Sequence, residues 1–154
     1  MQPGNNFRLN SPAFAEGDSI PEKYTCKGLN VSPPLEIRDV PEEAASLALV
    51  LHDPDAPHGD FLHWAVWNLN SDTRSLDENR VPDNASQGTN SFGKVQYSGP
   101  CPSPMSTHRY IFDLYALDSQ LDLVEGANRE EIEEAIADHQ IAHAVLMGTF
   151  GSQS

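Results

Sequence analysis

Cysteine and lysine are both scarce in this 154-residue chain: it has two cysteines, Cys26 and Cys101, and three lysines, Lys23, Lys27 and Lys94. Two cysteines permit at most one intramolecular bridge, and a chain long enough to bury a core of its own does not need a disulfide framework. Free thiols in a reducing cytoplasm are therefore expected. No stretch approaches the roughly 18 consecutive apolar residues of a membrane-spanning helix. The start, Met1-Gln2-Pro3-Gly4-Asn5-Asn6, has no basic segment leading into an apolar one, so neither leader nor anchor is expected and the protein should reside in the cytoplasm.

The shortage of lysine belongs to a wider acidic excess. Nine lysines and arginines face 23 aspartates and glutamates, a formal net charge of −14. Such a surface repels phosphate backbones, which excludes nucleic acid and anionic lipid surfaces as partners but not a single phosphate in a small pocket. An acidic surface with few lysines also suits a halophile's concentrated salt, where screening removes self-repulsion. The alternative is an ordinary acidic soluble protein.

What the chain does have is punctuation. Twelve prolines and ten glycines divide it into short apolar runs rich in Val, Leu, Phe, Tyr and Trp, the pattern of an all-β domain. Residues 46–52 and 63–69 read as strands buried on both faces, because their apolar residues are nearly continuous rather than alternating. Residues 110–117 and 143–150 supply two more strands. Asn128 followed by Glu131 reads as a helix cap, with Ile132, Ala135 and Ile136 at helical spacing, so a short helix is expected over about 129–139. Its acids, Glu130 to Glu134, read as a solvated face. Residues 70–108 hold little regular pattern beyond a short strand at Lys94-Val95-Gln96-Tyr97, and a connection that long points to function. There is no repeat, and the whole chain, 1–154, reads as a single domain.

Two stretches pair rigid prolines with ionisable groups. In the first, Asp53-Pro54-Asp55-Ala56-Pro57 is followed by His63-Trp64; in the second, Gly99-Pro100-Cys101-Pro102 is followed by His108-Arg109-Tyr110. Asp53 closes a buried strand and is held by it, although Asp53 and Asp55 could equally serve as turn formers through bonds to nearby amides. His63, beside Trp64 and Trp67, could be a packing residue. His108 and Tyr110 lie two apart on one strand face and can present an imidazole and a phenol to one ligand. Arg109 then faces the other way, toward a carboxylate such as Asp113 or Asp55. His52, Asp53, Asp55, His63 and His108 are metal-ligand types without the paired spacing of a zinc motif. Cys101 has no protease signature around it, and Gly88 to Gly93 opens no phosphate-binding helix.

Taken in order, these motifs and the following Leu-Tyr-Ala-Leu-Asp closely resemble the phosphatidylethanolamine-binding protein family over nearly the whole chain. Tyr24-Thr25-Cys26-Lys27-Gly28, Ser32-Pro33-Pro34-Leu35 and Asn90-Ser91-Phe92-Gly93-Lys94 resemble its bacterial and archaeal, Raf kinase inhibitor-like branch. The resemblance implies a Greek-key, sandwich-like fold of two antiparallel sheets with small helices. It also implies an end-on pocket for phosphate or a phosphorylated head group. By motif position the ligand-binding residues would be Asp53, His63, His108 and Tyr110, with Pro102 and Gly99 on the rim and Asp55 and Pro57 shaping the loop. Eukaryotic members cover this pocket with a C-terminal helix, whereas here Ser154 follows closely on the last strand.

The leading reading is a small soluble binding protein that is not an enzyme, needs no cofactor or metal, and forms a homodimer as in the prokaryotic branch. One alternative is an inhibitor that docks on a protease or kinase, and another is a metal-assisted hydrolase using His52, Asp53 and His63. If the acidic surface is an adaptation to salt, the thermal midpoint should climb as KCl is raised from low to molar concentration. A flat dependence would mark an ordinary acidic protein.

Overall fold

The computed structural model describes residues 6–151; residues 1–5, which hold most of the stretch read for a leader, and residues 152–154 lie outside the described residues. The strands are β1 (Arg8–Asn10), β2 (Leu35–Arg38), β3 (Ser46–Asp53), β4 (Phe61–Asn70), β5 (Ser75–Leu76), β6 (Ser86–Gln87), β7 (Thr107–Leu117) and β8 (Gln140–Gly151), with helix α1 (Arg129–His139) before β8. All strand pairing within the sheets is antiparallel. One sheet has the order β1-β2-β5, the other β6-β4-β3-β7-β8. This is the two-sheet architecture with one short helix that the motifs imply. Among the described residues no helix is long and apolar enough to cross a membrane.

The central position of β3 explains its composition. It pairs with β4 on one side and β7 on the other, and both of its faces are covered. Leu47, Leu49 and Leu51 are fully buried in the core shared with the three-stranded sheet, together with Trp64, Tyr110 and Phe112. Ala48 and Val50 face a second core, which Trp67 completes with Ile132 and Ile136 of α1. Continuous apolar sequence is what a strand covered on both faces requires.

Helix α1 forms where its cap predicts. Asn128 Oδ1 accepts the Glu131 N–H at 2.9 Å while a Glu131 carboxylate oxygen accepts the Asn128 N–H at 3.0 Å, so two otherwise unpaired donors are satisfied reciprocally. Its acids face solvent, as expected. The small strands β1, β2, β5 and β6 carry no period long enough to read, since each spans four residues or fewer.

Two expectations fail. Lys94 to Tyr97 is not a strand. The buried side chain of Asn90 takes over the hydrogen bonding there: its Oδ1 accepts from the Phe92 and Lys94 amides and its Nδ2 donates to the Gln96 carbonyl. Nor are the cysteines free: Cys26 and Cys101, 75 residues apart, form a disulfide. Their loops are laced together independently, since Cys26 N–H donates to the Pro100 carbonyl at 3.0 Å and the Tyr97 hydroxyl to the Tyr24 carbonyl at 2.7 Å. The bridged pair removes the cysteine argument for a reducing compartment. Because the bond closes a long loop, replacing both cysteines by serine is expected to lower the unfolding free energy by about 2–5 kcal/mol. An unchanged denaturant midpoint would show that the loops need no bridge.

Candidate functional site

Antiparallel pairing brings the site together, because β3 ends where β4 and β7 begin. Asp53 is the last residue of β3, His63 the third of β4, and His108 and Tyr110 the second and fourth of β7. All four are buried and line one cavity of about 130 Å³, with Phe61, Phe92, Pro57 and Pro102 among its other walls. Cys101 and Ser103 complete the rim.

Asp53 has both oxygens engaged. One accepts the Asp55 N–H at 2.8 Å, which is the turn-forming role; the other lies 2.6 Å from His108 Nδ1. Asp53 therefore forms its turn and lines the cavity at once. A carboxylate with no proton only accepts, so His108 Nδ1 carries the hydrogen and Nε2 is the nitrogen left for the cavity. His63 is fixed in the same sense, its Nδ1–H donating to the Ser98 carbonyl at 2.6 Å. Burial holds the His63 imidazole below its ordinary pKa of 6.5, against the opposing pull of that carbonyl and of Asp53.

Between the histidines stands Tyr110. Its ring is 5.5 Å from that of His63 and 6.2 Å from that of His108, so the pairing of residues two apart on one strand face holds. Its hydroxyl is buried without a hydrogen-bond partner of acceptable geometry among the described residues. Burial, with the negative charge of Asp53 nearby, pushes its pKa above the ordinary phenol value, so it stays a donor. An edge-on aromatic group closes the other side: Phe61 and Phe92 are 4.7 Å apart, and His63 lies 5.0 Å from Phe61.

The remaining sequence-chosen residues act from outside the cavity. Gly99 is not in its wall; its N–H donates to Asn30 Oδ1 at 2.8 Å, and a Cβ there would lie 2.1 Å from the Tyr24 carbonyl oxygen. Of the two partners foreseen for Arg109, the structure selects Asp55. The guanidinium grips both carboxylate oxygens, at 2.8 and 3.0 Å, and the Arg109 N–H adds a third bond at 2.9 Å. This clamp ties the proline loop to β7 across the cavity mouth.

The set His52, Asp53 and His63 is not assembled. His52 points away from the cavity, its Nε2 2.8 Å from Asp113 and its Nδ1 2.8 Å from Asp60. Burial opposes its charged form, yet those two carboxylates raise its pKa above the ordinary value. Among the described residues no three His, Cys, Asp or Glu side chains are grouped as a metal ligand set. Sequence reading named Asn90 and Phe92 only within a branch motif and did not place them, or Phe61, at the site. The aromatic residues sit at a strand edge and in a polar loop, where no periodicity marks them.

A family model for phosphatidylethanolamine-binding protein matches residues 10–151. This chain belongs to the phosphatidylethanolamine-binding protein family. The UPF0098 protein of Methanothermobacter thermautotrophicus is 46% identical over 149 residues, covering 94% of this chain and 98% of that protein. A UPF0098 protein of Chlamydia pneumoniae is 47% identical with the same coverage. Among solved structures, a putative phosphatidylethanolamine-binding protein homolog from Chlamydia trachomatis superposes with a TM-score of 0.89 at 45% identity, over 95% of this chain and 97% of that one. Escherichia coli YbcL, described as a new member of the mammalian family, gives a TM-score of 0.89 at 27% identity, over 94% of this chain and 98% of that one.

In this member of the family the Arg109 clamp has a titration signature. The guanidinium, with the Arg109 N–H, holds Asp55 down to about 2 from the ordinary 3.8. A carboxylate depressed on folding stabilises above its ordinary value and loses that contribution as pH falls toward the folded value. Arg109→Ala should return the Asp55 carboxyl toward 3.8 in a carbon-detected NMR titration and remove this part of the acid limb of stability. An Asp55 titration that does not move would show that the clamp is not what depresses it.

Proposed function

We propose that this chain is a binding protein, not an enzyme, whose cavity takes one phosphate-sized anion, free or as the head group of a phosphorylated molecule. The observation that carries the reading is the Tyr110 hydroxyl, buried at the cavity with no well-formed hydrogen bond among the described residues, although Asp53 and the Cys101 backbone lie near it. An unsatisfied buried hydroxyl costs about 1–3 kcal/mol, which a ligand oxygen accepting its hydrogen bond would offset. His108, whose Nδ1–H is held by Asp53, adds a second donor at Nε2 in its protonated form. His63 Nε2 adds a third once protonated.

Size supports the same ligand. At about 130 Å³ the cavity is smaller than the roughly 300–1,000 Å³ of sites that enclose drug-sized molecules, so it suits a head group and not an acyl chain. Histidine and tyrosine donors in a desolvated cleft also explain how so acidic a chain could hold an anion without lysine. The disulfide occupies the one sulfur beside the cavity, so Cys101 offers no thiolate nucleophile there.

Calorimetric titration with inorganic phosphate and with phosphorylethanolamine tests the reading; no saturable heat from either would refute it. Tyr110→Phe removes a hydrogen bond to a charged group, worth about 1.5–3 kcal/mol, and should weaken binding about tenfold or more while the protein stays folded. The pH dependence has a definite sign. The empty site holds His63 below 6.5 and a bound anion favours its charged form, so affinity should rise as pH falls through and below that value. A profile flat from acid to alkaline pH would reject imidazolium-assisted binding.

A further inference from the structure

The pairing of β3 with β4 skips His63, passing from Leu51 opposite Trp64 to His52 opposite Leu62, and this bulge lets two adjacent residues serve different pockets: His63 lines the anion cavity and Trp64 a separate groove. There Trp64 lies at a groove of about 280 Å³, twice the volume of the cavity, whose walls include Asn30, Val31, Arg80, Val81, Gln87 and Tyr97. Two side-chain amides in it are each fixed in one orientation. Trp64 Nε1–H donates to Gln87 Oε1 at 2.7 Å, and Gly99 N–H donates to Asn30 Oδ1 at 2.8 Å. Indole and backbone N–H groups only donate, so each amide must give them its oxygen and keep its NH₂ for another partner. Neither NH₂ group has one among the described residues. The Tyr97 hydroxyl is engaged too, donating to the Tyr24 carbonyl at 2.7 Å.

Arg80 is the charged group of this wall. It is exposed and makes no ion pair among the described residues, in a chain with 23 acidic side chains. The groove thus presents two oriented amide donors and a guanidinium fork beside the half-buried Val31 and Val81, with the buried Trp64 and Tyr97 rings behind them. We propose that it is a second binding site, for the carboxylate end of a peptide-like acid. The planar carboxylate would take the Arg80 fork, carbonyl oxygens before it would accept from Asn30 and Gln87, and an apolar side chain would lie against the valines. A single guanidinium with neutral amides matches a monoanion better than a phosphate dianion. This site stands independently of the reading of the anion cavity.

The chain contains two tryptophans, which makes the test self-controlled. Both are buried, but Trp64 backs the groove and hands its Nε1–H to Gln87, whereas Trp67 lies in the separate core beneath α1. N-acetyl-leucine titrated into the nitrogen-15-labelled protein should shift the Trp64 indole and Gln87 side-chain resonances saturably, with a Kd of about 1 mM or tighter, and leave Trp67 in place. Excess inorganic phosphate should not change that titration. N-acetyl-leucinamide, which lacks the carboxylate, and the Arg80→Gln variant should each weaken binding about tenfold. Because Arg80 is exposed and unpaired, that variant should keep the parent thermal midpoint. The proposal is overturned by absence of shifts at Trp64 and Gln87, by shifts of undiminished affinity in Arg80→Gln or with the amide, or by displacement with phosphate.

Discussion

The rest of the structure depends on β3 being buried on both faces. Its leucines knit the larger sheet to the smaller one, and its alternate residues, Ala48 and Val50, meet the layer that includes α1. Hydrogen bonding to β4 and β7 on its two edges then fixes where those strands begin relative to where β3 ends. The cavity is a by-product of that register. A slip by one residue would turn His108 and Tyr110 to the opposite face and part them from Asp53.

Polar groups around the cavity are arranged so that few face it unassigned. Asp53 divides its oxygens between its own turn and His108, and the Ser98 carbonyl selects the tautomer of His63. Asp55 is turned outward to Arg109 and shapes the loop from there. What is left pointing inward is a phenol and two imidazole nitrogens, framed by aromatic edges. The same economy recurs across β4, where obligatory donors fix the Gln87 and Asn30 amides. On the sheet's outer face Asp113 binds both His52 and His143, a cluster distinct from the cavity.

Much of this could be read in advance, for specific reasons. The long strands and α1 carry strong local signals: continuous apolar sequence in β3 and β4, and a capping box at Asn128. Four cavity residues were identified because prolines marked their loops and because their motifs match a family. The misreadings share a cause. His52 and Asp53 are adjacent in sequence, but strand alternation sends them to opposite faces. Lys94 to Tyr97 has the composition of a strand, but the side chain of Asn90 claims its backbone groups. The pairing of Cys26 with Cys101 depends on two loops meeting across 75 residues.

By itself, then, the sequence determined the all-β class, the helix and its cap, the acidic surface, and which residue types could do chemistry, because all of these follow from local pattern and composition. Tertiary structure alone decided that the cysteines are bridged, that Arg109 grips Asp55 and not Asp113, and that the Tyr110 hydroxyl is buried without a well-formed hydrogen bond among the described residues. It also decided that Trp64 and Gly99 hold two distant amides with their donors free. Each of these is a contact between segments far apart in the chain, and only the register of the folded strands sets such distances.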